Sequence, residues 1–91
     1  MMKVAMTVSG KVQGVGFRYT TKMVADQLGV LGIVRNEDNG DVYIEAQGEE
    51  KKVNDFIEAV KKSPAPFGRV DQVTFHEANT SKEYTKFSVT N

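Results

Sequence analysis

Twice along this 91-residue sequence a hydrophobic period of two gives way to a period near 3.6, and that repetition constrains the fold more than any single residue. Val4, Met6 and Val8 alternate with Lys3, Ala5, Thr7 and Ser9, as a half-buried strand requires. Past a glycine-rich stretch, Phe17, Thr21, Val24, Ala25 and Leu28 recur at helical spacing, and Gly29 follows as a stop signal. Two strand-like runs, Leu31 to Asn36 and Asp41 to Gln47, flank Glu37-Asp38-Asn39-Gly40, where the Asn-Gly pair is a strong hairpin signal. They are expected to pair antiparallel, with Val42, Ile44 and Ala46 on the core face and Tyr43, Glu45 and Gln47 on the other. From Glu49 onward, Val53, Phe56, Ile57 and Val60 form a second helical stripe, acidic at its start and ending in Lys61 and Lys62, as helix polarity favours. Ser63-Pro64-Ala65-Pro66 cannot continue that helix. Val70 to Phe75 and Phe87 to Val89 read as two more strands, separated by the polar stretch Ala78 to Glu83.

This order predicts an α+β fold, the ferredoxin-like β-α-β-β-α-β sandwich: an antiparallel sheet with two helices on one face and a short fifth strand. The length suits a single domain over residues 1–91. Hydrophobic residues at 40% and charged residues at 26% exclude a disordered chain. Cysteine is absent, which removes disulfides, thiolate nucleophiles and Cys-based zinc sites and suits a reducing compartment. With no long apolar segment and no signal peptide, a cytoplasmic protein without a membrane partner is expected. Twelve basic residues balance twelve acidic ones without blocks, so no electrostatic footprint for nucleic acid is present. RNA binding through the sheet would need exposed aromatics on central strands, and Tyr43 alone offers that. No extensive apolar interface is suggested, and a monomer is expected.

Residues 10–18 read GKVQGVGFR. A strand that ends in a glycine turn and enters a helix directs several backbone N–H groups, and the positive end of the helix dipole, at one point. Gly10, Gly14 and Gly16 supply the positive-φ freedom such a turn needs. Arg18 adds a planar fork of donors matched to two oxygens of a phosphate or carboxylate. Spacing alone equally allows a tight strand-to-helix turn followed by a solvated arginine. The stretch is neither a nucleotide P-loop, lacking Gly-Lys-Ser/Thr, nor the dinucleotide fingerprint, lacking its third glycine. A small phosphorylated molecule fits better than a nucleotide.

The run Gly10-Lys11-Val12-Gln13-Gly14-Val15-Gly16-Phe17-Arg18, with Gly32-Ile33-Val34-Arg35-Asn36 and the Asn39-Gly40 turn, resembles the acylphosphatase family over nearly the whole chain. The resemblance implies hydrolysis of the mixed anhydride of a carboxylic and a phosphoric acid, a small-molecule acyl phosphate, with no metal and no cofactor. It also implies that backbone N–H groups of Gln13, Gly14, Val15, Gly16, Phe17 and Arg18 hold the phosphate, that Arg18 anchors it, and that Asn36 orients the attacking water. Where the family commonly has an aromatic residue this chain has Ile33, a departure expected to alter core packing and not the chemistry.

These few groups meet the demands of such a reaction. The carboxylate leaving group is a weak base, so no strong general acid is needed, and catalysis rests on positioning and on stabilising charge. Asn36 offers a donor and an acceptor without setting a negative charge beside phosphate; as a strand-end residue it also suits a hairpin cap. His76 is the lone histidine, next to Glu77 and without a serine nucleophile nearby, which reads as a surface strand position rather than a triad base. Glu37, Asp38 and Asp41 cluster at the hairpin as solvated turn residues and are assigned no metal. Tyr19 follows Arg18 and either walls the pocket or packs at the helix start. A non-catalytic anion-binding or regulatory module of this fold would keep the loop without needing Asn36.

Overall fold

In a computed structural model, described over residues 1–78 and 82–90, both changes of period appear as strand-to-helix transitions. The order is β1 (Met2–Lys11), α1 (Phe17–Leu28), β2 (Leu31–Asn36), β3 (Val42–Gly48), α2 (Glu50–Lys61), β4 (Arg69–Glu77) and β5 (Phe87–Val89). Gly29 ends α1 in the left-handed conformation, and its N–H and that of Val30 return to carbonyls of the last turn. Glu50 at the start and Lys61 at the end of α2 complement its dipole.

The strands lie in the order β4-β1-β3-β2-β5. β3 is central; β1 pairs antiparallel with β3 and β4, and β2 pairs antiparallel with β3. β5 departs from the expected antiparallel sheet: it pairs parallel with β2, Val34 opposite Val89, so the sheet is mixed. The cause is topological. β4 occupies one edge, so the chain must return across the whole sheet to reach the free edge of β2.

Alternation along β1 and β3 turns Val4, Met6, Val8, Val42, Ile44 and Ala46 toward the helices, as expected. They meet Val53, Phe56, Ile57 and Val60 of α2 and Phe17 and Ala25 of α1 in one core. The rings of Phe56 and Phe87 pack edge to face with centroids 5.7 Å apart, which ties β5 into the core. Ile33 pairs with Glu45 on the other face of the sheet and is only half-buried. The departure at Ile33 therefore lies outside the core that it was expected to repack.

The face away from the helices is not a plain polar surface. Gln47 was assigned there by alternation, yet it is 3% exposed. The returning chain covers it: Tyr84 N–H donates to Gln47 Oε1, and Lys3 Nζ donates to the Lys82 carbonyl. Tyr43 and Tyr84 both donate their hydroxyls to the Glu45 carboxylate, and the Arg35 guanidinium lies 4.5 Å from the Tyr43 ring centroid. The polar stretch between β4 and β5 was expected to span Ala78 to Glu83, and its central residues 79–81 lie outside the described residues.

Candidate active site

The loop between β1 and α1 is shorter than its glycines suggest. Gly10 belongs to β1, at a bulge where the register against β4 shifts between Ser9 and Gly10. Its φ is 133°, and a Cβ there would come within 2.2 Å of the Arg69 carbonyl oxygen. Gly10 thus serves close strand approach, and the turn proper is left to Gly14 and Gly16, at φ 75° and 77°.

Gly16 is the N-cap of α1, and no side chain caps the helix there. The amides of the first helical turn therefore face the loop without a side-chain acceptor, at the positive end of the dipole. Phe17, the first helical residue, is 1% exposed and drives its ring into the core, which fixes the position of the loop. Val15 also packs its side chain against that core and does not line the neighbouring cavity.

The cavity has a volume of about 300 Å³, the lower end of the range for small-ligand pockets. Gln13, Gly14, Gly16, Phe17 and Arg18 line it from the loop and α1, and Asn36 lines it from the end of β2. Two residues far apart in sequence thus share one pocket. Arg18 is half-buried, and its Nη1 donates to the Thr90 carbonyl at 3.4 Å, which turns the guanidinium toward the strand carrying Val89. It is the sole charged side chain among the described residues of the cavity wall.

Gln13 contributes more than its backbone. Its Nε2 donates to the carbonyls of Glu37 and Asp41, each at 2.8 Å. Those carbonyls sit at the two ends of the β2–β3 connection, immediately after Asn36 and before Val42. One amide group therefore fastens the glycine loop to the hairpin that presents Asn36. The Glu37 N–H closes the same hairpin onto the Asp41 carbonyl at 2.8 Å. Sequence reasoning overlooked this role because nothing local ties Gln13 to residues 24 and 28 positions away.

The other candidates fall elsewhere. His76 is an exposed residue of β4 opposite Ala5 and does not line the cavity. Glu37 pairs with Arg35 at 3.7 Å, and Asp41 accepts from the Asn39 side chain, so both act within the hairpin. Among the described residues, no three His, Asp or Glu side chains converge as a metal site requires. No helix among them is long and apolar enough to cross a membrane. Tyr19, Val12 and Val89 complete the cavity wall. Tyr19 is 66% exposed, so of its two readings the structure selects the pocket wall over packing.

A glycine turn, one guanidinium and two carboxamides, those of Gln13 and Asn36, gather at a helix N-terminus in an α+β fold, an arrangement whose chemistry suits a small anion. A family model for acylphosphatases matches residues 4–89. The acylphosphatase of Enterococcus faecalis is 54% identical over 89 residues, covering 98% of each chain. That of Lactiplantibacillus plantarum is 47% identical over the full length of both. The crystal structure of acylphosphatase from Bacillus subtilis superposes with a TM-score of 0.94 at 38% identity, again over both complete chains. The chain belongs to the acylphosphatase family.

Proposed function

We propose that this protein is an acylphosphatase, hydrolysing the carboxyl–phosphate anhydride of small acyl phosphates without a metal or other cofactor. One observation carries the reading: Arg18 and Asn36, joined only by the fold, line the same small cavity beside the glycine turn. Family membership supports the reaction class. The whole chain works as one domain, as a monomer in the cytoplasm, a setting suited to a protein without cysteine.

In this reading the phosphoryl oxygens accept hydrogen bonds from the backbone N–H groups of residues 13–18 and from the Arg18 fork. The Asn36 carboxamide holds a water in line with the phosphorus–oxygen bond to the acyl group. The water oxygen bonds to phosphorus, and the anhydride bond breaks with its electron pair leaving on the carboxylate. The water's proton passes to the phosphate, so no protein base is required. Arg18 stabilises the charge on the equatorial oxygens, where fixed donors act most strongly in phosphoryl transfer. Gln13 holds the water-bearing strand end against the phosphate cradle.

The deciding experiment is hydrolysis of benzoyl phosphate in the presence of EDTA by the wild type and Arg18→Ala. The wild type is expected to turn over, and Arg18→Ala to lose about 100-fold or more. Phosphate binding by calorimetry with no hydrolysis above buffer would instead identify a non-catalytic anion-binding module.

A further inference from the structure

Near its N-terminus α1 carries two neighbouring threonines whose hydroxyls behave differently. Thr20 Oγ1 donates back along the helix, 2.9 Å from the Gly16 carbonyl oxygen and 3.1 Å from that of Phe17. Thr21, one position on and fully buried, leaves its Oγ1 without a hydrogen-bond partner among the described residues. A bond back to the preceding turn is therefore no automatic consequence of a threonine in this helix. The two carbonyls belong to the peptide that joins Gly16 to Phe17 and the one that joins Phe17 to Arg18, and all three residues line the cavity. A hydroxyl has one proton, so the two acceptors share a three-centre bond.

We propose that Thr20 is a positioning residue for the phosphate cradle: its hydroxyl fixes the two peptide planes whose N–H groups, those of Phe17 and Arg18, serve as phosphate donors. The inference rests on the acylphosphatase reading above, which gives residues 13–18 that role. In a planar trans peptide the N–H points opposite to the C=O. A carbonyl held along the helix toward Thr20 thus leaves the N–H of the same unit directed back at the glycine turn. Gly16 makes this restraint matter. It enters the helix at φ 77° with no side chain to cap it, and glycine limits the rotation of the following peptide less than any other residue. The Thr20 N–H also donates to the Gly16 carbonyl, at 3.1 Å, so the hydroxyl doubles that restraint and extends it to Phe17. Donation to a carbonyl further polarises its peptide, which makes the N–H at the other end a better donor to an anion.

The test sets Thr20→Val, which keeps the branched shape and removes the hydroxyl, beside Thr20→Ser, which keeps the hydroxyl. Binding of inorganic phosphate is measured by calorimetry and hydrolysis of benzoyl phosphate by kcat and KM, with urea unfolding on each variant. Thr20→Val is expected to bind phosphate about 5-fold more weakly, the scale of one neutral hydrogen bond. Its kcat/KM should fall about 10-fold, because donors aimed at developing charge act most strongly in the transition state. Thr20→Ser should stay within about twofold of wild type on both, since serine makes the same bond. Urea midpoints should barely move, because the helix keeps its backbone bonds and a threonine bond to the preceding turn adds little to helix stability. In amide NMR spectra, phosphate should shift the Phe17 and Arg18 N–H protons less in Thr20→Val than in wild type. Wild-type phosphate affinity in Thr20→Val overturns the proposal, as does an equal loss in Thr20→Ser, which would show that the hydroxyl is not what matters. Should Thr20→Val fail to fold, Thr20→Ala takes its place with the same expected and overturning results. If the wild type binds phosphate but hydrolyses no acyl phosphate, the acylphosphatase reading fails and the role of Thr20 is read from phosphate affinity alone; a wild type that binds no phosphate overturns both.

Discussion

At the scale of the residue, geometry separates Arg18 and Asn36 from their chemical relatives. Arg18 is held by a hydrogen bond to the Thr90 carbonyl, a contact an ammonium could copy, but the two-oxygen fork toward a phosphate is one it could not. Arg18→Lys is accordingly expected to lose on the order of 100-fold in benzoyl phosphate turnover. Asn36→Asp is nearly isosteric and should abolish turnover, by setting a negative charge against the phosphate; near wild-type rates from the folded variant would rule out a water-positioning role. Both residues were legible in the sequence through their motifs. Tyr19 was visible without its direction being readable, because a residue at a helix start faces core or solvent according to what packs against the helix.

At the scale of the element, the glycine loop and the β2–β3 hairpin form one unit through Gln13. Each carbonyl that Gln13 bonds has another donor, Gly40 N–H for Glu37 and Glu37 N–H for Asp41. Replacing Gln13 by Leu therefore leaves neither acceptor bare, and the expected stability loss is only about 1 kcal/mol. The kinetic loss should be larger, about 10-fold or more in kcat, because the strand end that carries Asn36 is no longer fixed against the glycine loop, on which the proposed water positioning depends. Urea unfolding together with kcat and KM on the same variant checks both; a kcat that falls no further than stability explains would mean Gln13 is merely structural. Gly10 carries a related lesson. Its glycine was read as part of an anion loop, but the pairing of β1 with β4 claims it, since no side chain fits beneath the Arg69 carbonyl. The competing demand came from a strand about 60 residues away and left no local trace.

At the scale of the whole molecule, the crossing from β4 to β5 converts one face of the sheet into a titrating cluster. Burial works to raise the Glu45 pKa, but the hydrogen bonds from Tyr84 and Tyr43, with the charges of Lys82 and Arg35, outweigh it and hold the carboxyl below its ordinary value. Burial and the bond to Glu45 push the Tyr43 phenol up to about 12 and raise Tyr84 as well. A depressed carboxylate stabilises the fold above its ordinary pKa and ceases to do so as pH falls through the folded value. A raised phenol stabilises the fold below pH 10 and ceases to do so as pH climbs from 10 toward 12. Urea midpoints followed with pH should thus fall on both flanks, with Glu45→Gln flattening the acid limb below about pH 4 and Tyr84→Phe shallowing the alkaline one. Identical acid limbs for wild type and Glu45→Gln would show that the cluster carries no such linkage.

The amino-acid sequence by itself determined the elements, their order and the residues turned toward the helices, because periodicity and stop signals act over a few neighbouring positions. Tertiary structure alone decided which edge β5 joins and in what direction, what covers Gln47, and that Gln13, Arg18, Asn36 and Val89 face one cavity. Those outcomes depend on contacts between segments tens of residues apart, whose energies arise only once the sheet has assembled and burial has selected one arrangement.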